Sequence, residues 1–216
     1  MIKPSDKYEI TGIAGNASKR KFSRVFFGVR KDNGQKVVIK SLAKTQDNLH
    51  LQQRLQEEAL FSFQQDGLPQ VLDYFEEDTE IMLVLAFKEG VSLMEFVKTL
   101  KQKQKPQFVL NLLKKLEPIL TELREKQIVH LDIKPGNIIV NGAADDFEVF
   151  LIDFGMAKEI SNITQRKTLF PLGYAAPELI LNRLHLAAHR TDIFALGITL
   201  WQIFTGRIPL IHPIHL

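Results

Sequence analysis

The first third of the chain gathers β-branched and aromatic residues into short runs. Val25-Phe26-Phe27-Gly28-Val29 and Lys36-Val37-Val38-Ile39-Lys40 are two of them, and such residues favour the pleated, half-buried surface of a strand. Between them stands Asp32-Asn33-Gly34, and Asn-Gly in that place predicts a hairpin whose two central residues take positive φ. From Asn48 to Gln65 the period changes: Leu51, Leu55, Ala59 and Phe63 recur at helical spacing in a stretch dense in Leu, Gln and Glu. They share one helix face, and Gly67 with Pro69 reads as the stop. Two more strands, Gln70–Phe75 and Glu80–Phe87, flank an acidic turn, Glu76-Glu77-Asp78, and Lys88-Glu89-Gly90 reads as a hinge.

From Ser92 the pattern is helical. A short helix is expected near Leu93–Leu100 and a longer one over about Pro106–Lys126, with Pro118 inside it as a kink. The Lys101, Lys103 and Lys105 run reads as a solvated connection. The most apolar stretch, Ile193 to Phe204, is about 12 residues, too short to span a bilayer and suited to a buried core helix. The order predicts an α+β chain of two lobes. Residues 1–86 form a small antiparallel-sheet lobe with one helix, and 87–216 a helical lobe.

Composition adds mainly exclusions. With 45% hydrophobic and 25% charged residues among 216, the chain is neither disordered nor collagen-like. The absence of Cys excludes a zinc ribbon, an iron–sulfur cluster and a thiol nucleophile. A net charge of +3 is too small for a concentrated nucleic-acid-binding face. Met1 to Thr11 has no apolar core of a signal peptide, so neither nucleic acid nor membrane is expected as a partner, and a cytoplasmic location is.

Candidate chemistry sits in four short motifs. Val129-His130-Leu131-Asp132-Ile133-Lys134-Pro135-Gly136-Asn137 places Asp, Lys and Asn at offsets 0, +2 and +5. Leu151-Ile152-Asp153-Phe154-Gly155, Ala176-Pro177-Glu178 and Asp192-Ile193-Phe194-Ala195-Leu196-Gly197 follow in that order. Any one of them is weak; all four, downstream of a Val-Val-Ile-Lys strand, are specific.

This set resembles the eukaryotic-like (Hanks-type) Ser/Thr protein kinase family, which bacteria also carry, from about Tyr8 to Leu210. The resemblance implies a two-lobed kinase-like fold with ATP and Mg²⁺ as cofactors. Lys40 matches the lysine that holds the α/β-phosphates, and its partner is expected on the following helix at Glu58, with Glu57 as the neighbouring alternative. Asp132 matches the aspartate that orients the attacking hydroxyl and accepts its proton, and Lys134 would neutralise charge on the transferred phosphoryl group. Asn137 and Asp153 match the Mg²⁺ ligands, while His130 reads as a loop anchor. Around the adenine the resemblance points to Val25, Val38, Ile139 and Leu85, with the backbone of Ala86 to Lys88 on the purine edge.

Three departures stand out. Val25 lies 15 residues before Lys40, which puts Ser18, Arg20 and Ser23 where the family has three phosphate-loop glycines. Glycine allows close backbone approach to phosphate; here Ser, Lys and Arg side chains would take over, and Gly12 and Gly15 fit only in another register. Leu131 replaces the Arg that pairs with a phosphorylated activation loop, so activity without such a switch is expected. Ser161, Thr164 and Thr168 remain candidate phosphosites, and Pro171 stands where a loop threonine is usual. The chain also stops soon after the Asp192–Gly206 helix, so the helical lobe reads as truncated after its central helix. Glu178 then lacks its usual late Arg, leaving Arg183, Arg190 and Arg207 as candidate partners, and the open apolar helix face invites a partner subunit or self-association. The leading function is ATP- and Mg²⁺-dependent phosphorylation of Ser/Thr on a protein substrate. The alternative is a pseudokinase-type regulator or scaffold without catalysis.

Overall fold

A computed structural model describes residues 3–14, 23–163, 170 and 173–209. The chain divides into two compact units: Met1–Phe63 with Pro69–Lys88, and Gln64–Leu68 with Glu89–Leu216.

The first unit contains α1 (Pro4–Lys7), β1 (Tyr8–Ile13), β2 (Ser23–Arg30), β3 (Lys36–Ala43), α2 (Leu49–Leu60), β4 (Val71–Glu76) and β5 (Glu80–Ala86). Its strands form one antiparallel sheet in the order β1-β2-β3-β5-β4. Period-2 alternation sorts the side chains. Val37, Ile39 and Val84 bury with Tyr8 on one face. Leu42, Ile81, Leu83 and Leu85 bury on the other, against Leu51, Leu55 and Ala59 of α2.

Two local expectations are corrected here. In the β2–β3 turn Gly34 takes φ 72° but Asn33 is not left-handed. Arg30 and Gln35 close a longer loop, and the Asn33 side chain accepts the Gln35 N–H at 2.9 Å, so one left-handed residue suffices. The helix stops at Leu60, not Gln65, because Phe61 is already extended at φ −68°, ψ 127°.

The second unit contains β6 (Val91–Ser92), α3 (Leu93–Thr99), α4 (Lys105–Glu125), β7 (Ile128–Val129), β8 (Ile138–Gly142), β9 (Phe147–Leu151), β10 (Lys158–Glu159), α5 (Pro177–Ile180) and α6 (His189–Thr205). Strands β6, β8 and β9 form one small antiparallel sheet, and β7 pairs with β10. Ser92 and Glu95 make a reciprocal capping box that starts α3. Phe108 sits between Phe96 and Phe147, at centroid distances of 5.2 and 4.9 Å. Helix α4 runs unbroken through Pro118, whose ring lies on the exposed side, where the Lys114 carbonyl can turn to water.

The segment Gln64–Leu68 belongs to this second unit because three backbone groups are taken up there. The buried Glu122 carboxylate accepts the Gln64 and Gln65 N–H groups at 2.7 and 2.8 Å, and Leu151 N–H donates to Gly67 O at 2.8 Å. A Cβ on Gly67 would lie 2.3 Å from Ile119 Cδ1. Gly67 is therefore a close-approach residue rather than a helix stop.

Helix α6 is a core helix on one side only. Thr191, Asp192, Ala195, Leu196, Thr199 and Ile203 are buried, whereas Ile193 and Trp201 are 55% and 54% exposed. Of the three lysines read as solvated, Lys101 and Lys103 are exposed. Lys105 instead donates to Ile203 O at 3.0 Å, placing a cation at the C-terminal end of α6. No described helix is long and apolar enough to cross a membrane.

Candidate active site

The loop after β7 is built on a buried carboxylate. Asp192, in the first turn of α6, accepts the backbone N–H of His130 at 2.8 Å and of Leu131 at 2.9 Å. Complete burial pushes its carboxyl up to about 7, against the two amide bonds, which act in the opposite direction. These bonds hold Leu131 at φ 64°, a conformation that is costly for a branched residue. The Leu131 side chain is buried among Val129, Ala175, Leu179, Leu184 and Ala187. His130 is fully buried, with Nε2 3.1 Å from Ile152 O and its ring edge-on to Phe154 at 4.6 Å. It ties the loop to the Ile152–Phe154 segment.

One residue further, Asp132 lies among donors. Lys134 Nζ is 2.9 and 2.7 Å from its two carboxylate oxygens. Asn137 Nδ2 donates at 2.8 Å both to the Asp132 carboxylate and to its backbone carbonyl. Those bonds fix the Asn137 amide so that Nδ2 faces Asp132 and Oδ1 is turned to the other side. Pro135–Asn137 is a single 3-10 turn that leads directly into β8.

Asp153 reaches the same place through sheet register. Ile138 of β8 pairs with Leu151 of β9, and Ile152 N–H donates to Asn137 O at 2.9 Å. Asn137 and Ile152 therefore sit at the open end of the β8–β9 hairpin, with Asp153 next in the chain at φ 66°. An amide oxygen and a carboxylate are hard donors suited to Mg²⁺. Among the described residues no three His, Asp or Glu side chains collect. A Mg²⁺ ion held here would take few protein oxygens and complete its shell with phosphate and water, so the donor set fits that ion.

In the first unit, Lys40 Nζ lies 2.6 Å from Glu58 Oε1, with Glu58 only 3% exposed. Alternation puts Lys40 on the sheet face that carries Leu42, the face α2 covers. Glu58 follows Leu55 by three residues and shares its inward side, whereas Glu57 accepts a bond from Gln53 at 3.0 Å, one turn back along α2. Of the two candidate partners, the pair forms with Glu58. Val25 is opposite Lys40, and Val38 is opposite Leu85, so all four share this face. The backbone expected on a purine edge is partly committed elsewhere: Ala86 N–H donates to Gln70 O and Phe87 N–H to Lys36 O. Lys88 is half-buried in the first unit, and Ile139 is half-buried in the second, on β8.

Thus Lys40, Glu58, Val25, Val38 and Leu85 group within one unit, and Asp132, Lys134, Asn137 and Asp153 within the other. Glu178 pairs with none of the expected arginines among the described residues: it takes the Thr191 hydroxyl, while Arg190 donates to Leu186 O. Ser23 begins β2 opposite Leu42. Ser18, Arg20, Gly15, Thr164, Thr168 and Pro171 lie outside the described residues. Asp192 opens one of the four motifs, but its partners could not be read from the sequence, because 61 and 62 residues separate donor from acceptor.

Comparison with known proteins shows the family of the chain. The family described as "Protein kinase domain" matches residues 19–215. The chain is 33% identical over 159 residues to the serine/threonine-protein kinase PrkC of Bacillus subtilis (strain 168), covering 72% of this chain and 24% of that protein. It is 31% identical over 227 residues to the serine/threonine-protein kinase cds1 of Schizosaccharomyces pombe, covering 97% of this chain and 47% of the relative. Against Aurora kinase C of Mus musculus the identity is 29% over 194 residues, covering 88% of this chain and 67% of the relative. The chain thus spans between about a quarter and two thirds of the length of these relatives.

Proposed function

Since this chain belongs to the protein kinase domain family, of the Hanks-type Ser/Thr kind, we propose that it transfers the γ-phosphoryl group of ATP, with Mg²⁺, to a Ser or Thr hydroxyl of a protein substrate. The observation that carries this reading is Asp132 held between Lys134 and Asn137, with Asp153 at the mouth of the adjoining hairpin. The Asp132 carboxylate orients the substrate hydroxyl and takes its proton as the oxygen–phosphorus bond forms. The bond between the γ-phosphorus and the bridging oxygen breaks, and ADP leaves with that electron pair. Lys134, already on Asp132, also offsets the negative charge of the equatorial phosphoryl oxygens. Asn137 Oδ1 and the Asp153 carboxylate would hold Mg²⁺, which supplies charge neutralisation on the phosphates. Lys40, fixed by Glu58, would hold the α/β-phosphates. The rest is positioning.

The test is incubation of the purified chain with labelled ATP, Mg²⁺ and a generic protein substrate, beside the Asp132→Asn, Asp153→Ala and Lys40→Ala variants. The wild type is expected to label Ser/Thr, and Asp132→Asn to lose about 100- to 10,000-fold. Transfer that survives Asp153→Ala would remove the metal-ligand assignment. An inactive wild type that ATP still protects against heat would point to the regulator reading.

A further inference from the structure

Two aromatic rings in the first unit have no part in the assignment above. Phe27 and Phe87 meet edge to face, with centroids 5.7 Å apart and planes at 86°. Phe27 is nevertheless 40% exposed. Strand register shows where it stands: Phe27 is opposite Val38, and Val25, two residues earlier, is opposite Lys40. All four point to one face of the sheet. On the other side Phe27 is opposite Gly12 of β1. Among the described residues a Cβ built on Gly12 would meet only Phe27 Cδ2, at 3.9 Å, so β1 itself places no side chain against the ring at this position. Phe87 is held in turn, its N–H donating to Lys36 O at 3.1 Å and the Lys36 ammonium standing 6.0 Å from its ring.

Read along the strands, this face runs from an aromatic edge at Phe27, over the apolar Val38 and Val25, to the Lys40 ammonium. One step of two residues, roughly 7 Å, separates Phe27 from Val25. That order suits a nucleoside triphosphate whose base lies over Val38 and Val25, with Phe27 at the base's far edge and Lys40 toward the phosphates. We propose that Phe27 is a further nucleotide-contacting residue, bounding the base at the end of the face away from Lys40, with Phe87 as the positioning residue behind it. The inference rests on the nucleotide-binding part of the reading above. It adds that Phe27 supplies affinity for the base and none for the phosphates.

The experiment measures dissociation constants for ATP and for inorganic tripolyphosphate, both with Mg²⁺, by calorimetry on the full chain. Phe27→Ala is expected to weaken ATP about tenfold, as loss of an aromatic–base contact does, while tripolyphosphate stays within about twofold. Phe87→Ala should weaken ATP less, and Lys40→Ala should weaken both ligands. Phe27→Leu, which keeps bulk without the ring, should fall between the wild type and Phe27→Ala and covers the case in which the alanine variant fails to fold. The inference is overturned if ATP binding is unchanged in Phe27→Ala, or if both ligands weaken by the same factor. It is also overturned if the wild type holds tripolyphosphate as tightly as ATP, a result that leaves the phosphate site standing. A wild type that binds no ATP at all instead removes the nucleotide reading and this inference with it.

Discussion

Glu57 and Glu58 differ by about 100° around α2, and that rotation decides which of them meets Lys40. Glu58→Ala should lower kcat/KM about 100-fold, whereas Glu57→Ala should change it less than about twofold; steady-state kinetics on the two variants checks this. A second residue-scale case is Asp73, which accepts bonds from the Tyr8 hydroxyl and, at 2.9 Å, from Lys7. Partial burial pushes the Asp73 carboxyl up, but the Tyr8 and Lys7 bonds outweigh it and hold the group below its ordinary value. A depressed acid stabilises the fold above its unfolded pKa and loses that contribution as pH falls through the folded one. Asp73→Asn should therefore lower the melting temperature at pH 7, and the difference from wild type should shrink as the pH is taken down below the ordinary carboxylate range. A gap that persists in acid would mean that packing, not charge, is what Asp73 provides.

At the scale of elements, the informative piece is the segment between α2 and β4. The sequence signals there, Gly67 and Pro69, look like ordinary helix punctuation. The structure gives them another cause: Glu122 of α4 satisfies two consecutive amides, and Gly67 lies against Ile119 and Val149. Glu122→Ala would strand two N–H groups, a loss of about 2–4 kcal/mol. Gly67→Ala would force a methyl group into the buried Ile119 at a cost of about 1–3 kcal/mol. Chemical denaturation of both variants measures these effects. A Glu122→Ala chain as stable as wild type would show that solvent replaces the carboxylate without loss.

For the whole molecule, the single tryptophan is a built-in probe. Trp201 is 54% exposed on α6, beside Phe204 on the same helix. The dilute chain should show solvent-like tryptophan emission that acrylamide quenches readily. If copies associate over this helix, emission should shift to the blue as concentration rises. Emission already typical of a buried indole at low concentration would mean that the α6 face is covered within one chain.

Local pattern was enough for four of the five strands of the first sheet, β1 being missed, for the existence of α2, α4 and α6, and for the residue types of the candidate site. Those features depend on period, on turn chemistry and on short motifs whose members lie within a few residues of each other. Even the proximity of Asp132, Lys134 and Asn137 is nearly local, because offsets of 2 and 5 fit inside one turn and its flanks. Apart from the Lys40–Glu58 pair, which the family resemblance implied, the sequence did not decide the contacts between distant segments. Asp192 bonding to His130 and Leu131, Glu122 to Gln64 and Gln65, Glu178 to Thr191, and Phe27 to Phe87 all join residues far apart in the chain. Charge and hydrophobicity say that a buried carboxylate needs a partner. Only the path of the backbone through space determines which amide or hydroxyl is there to provide it.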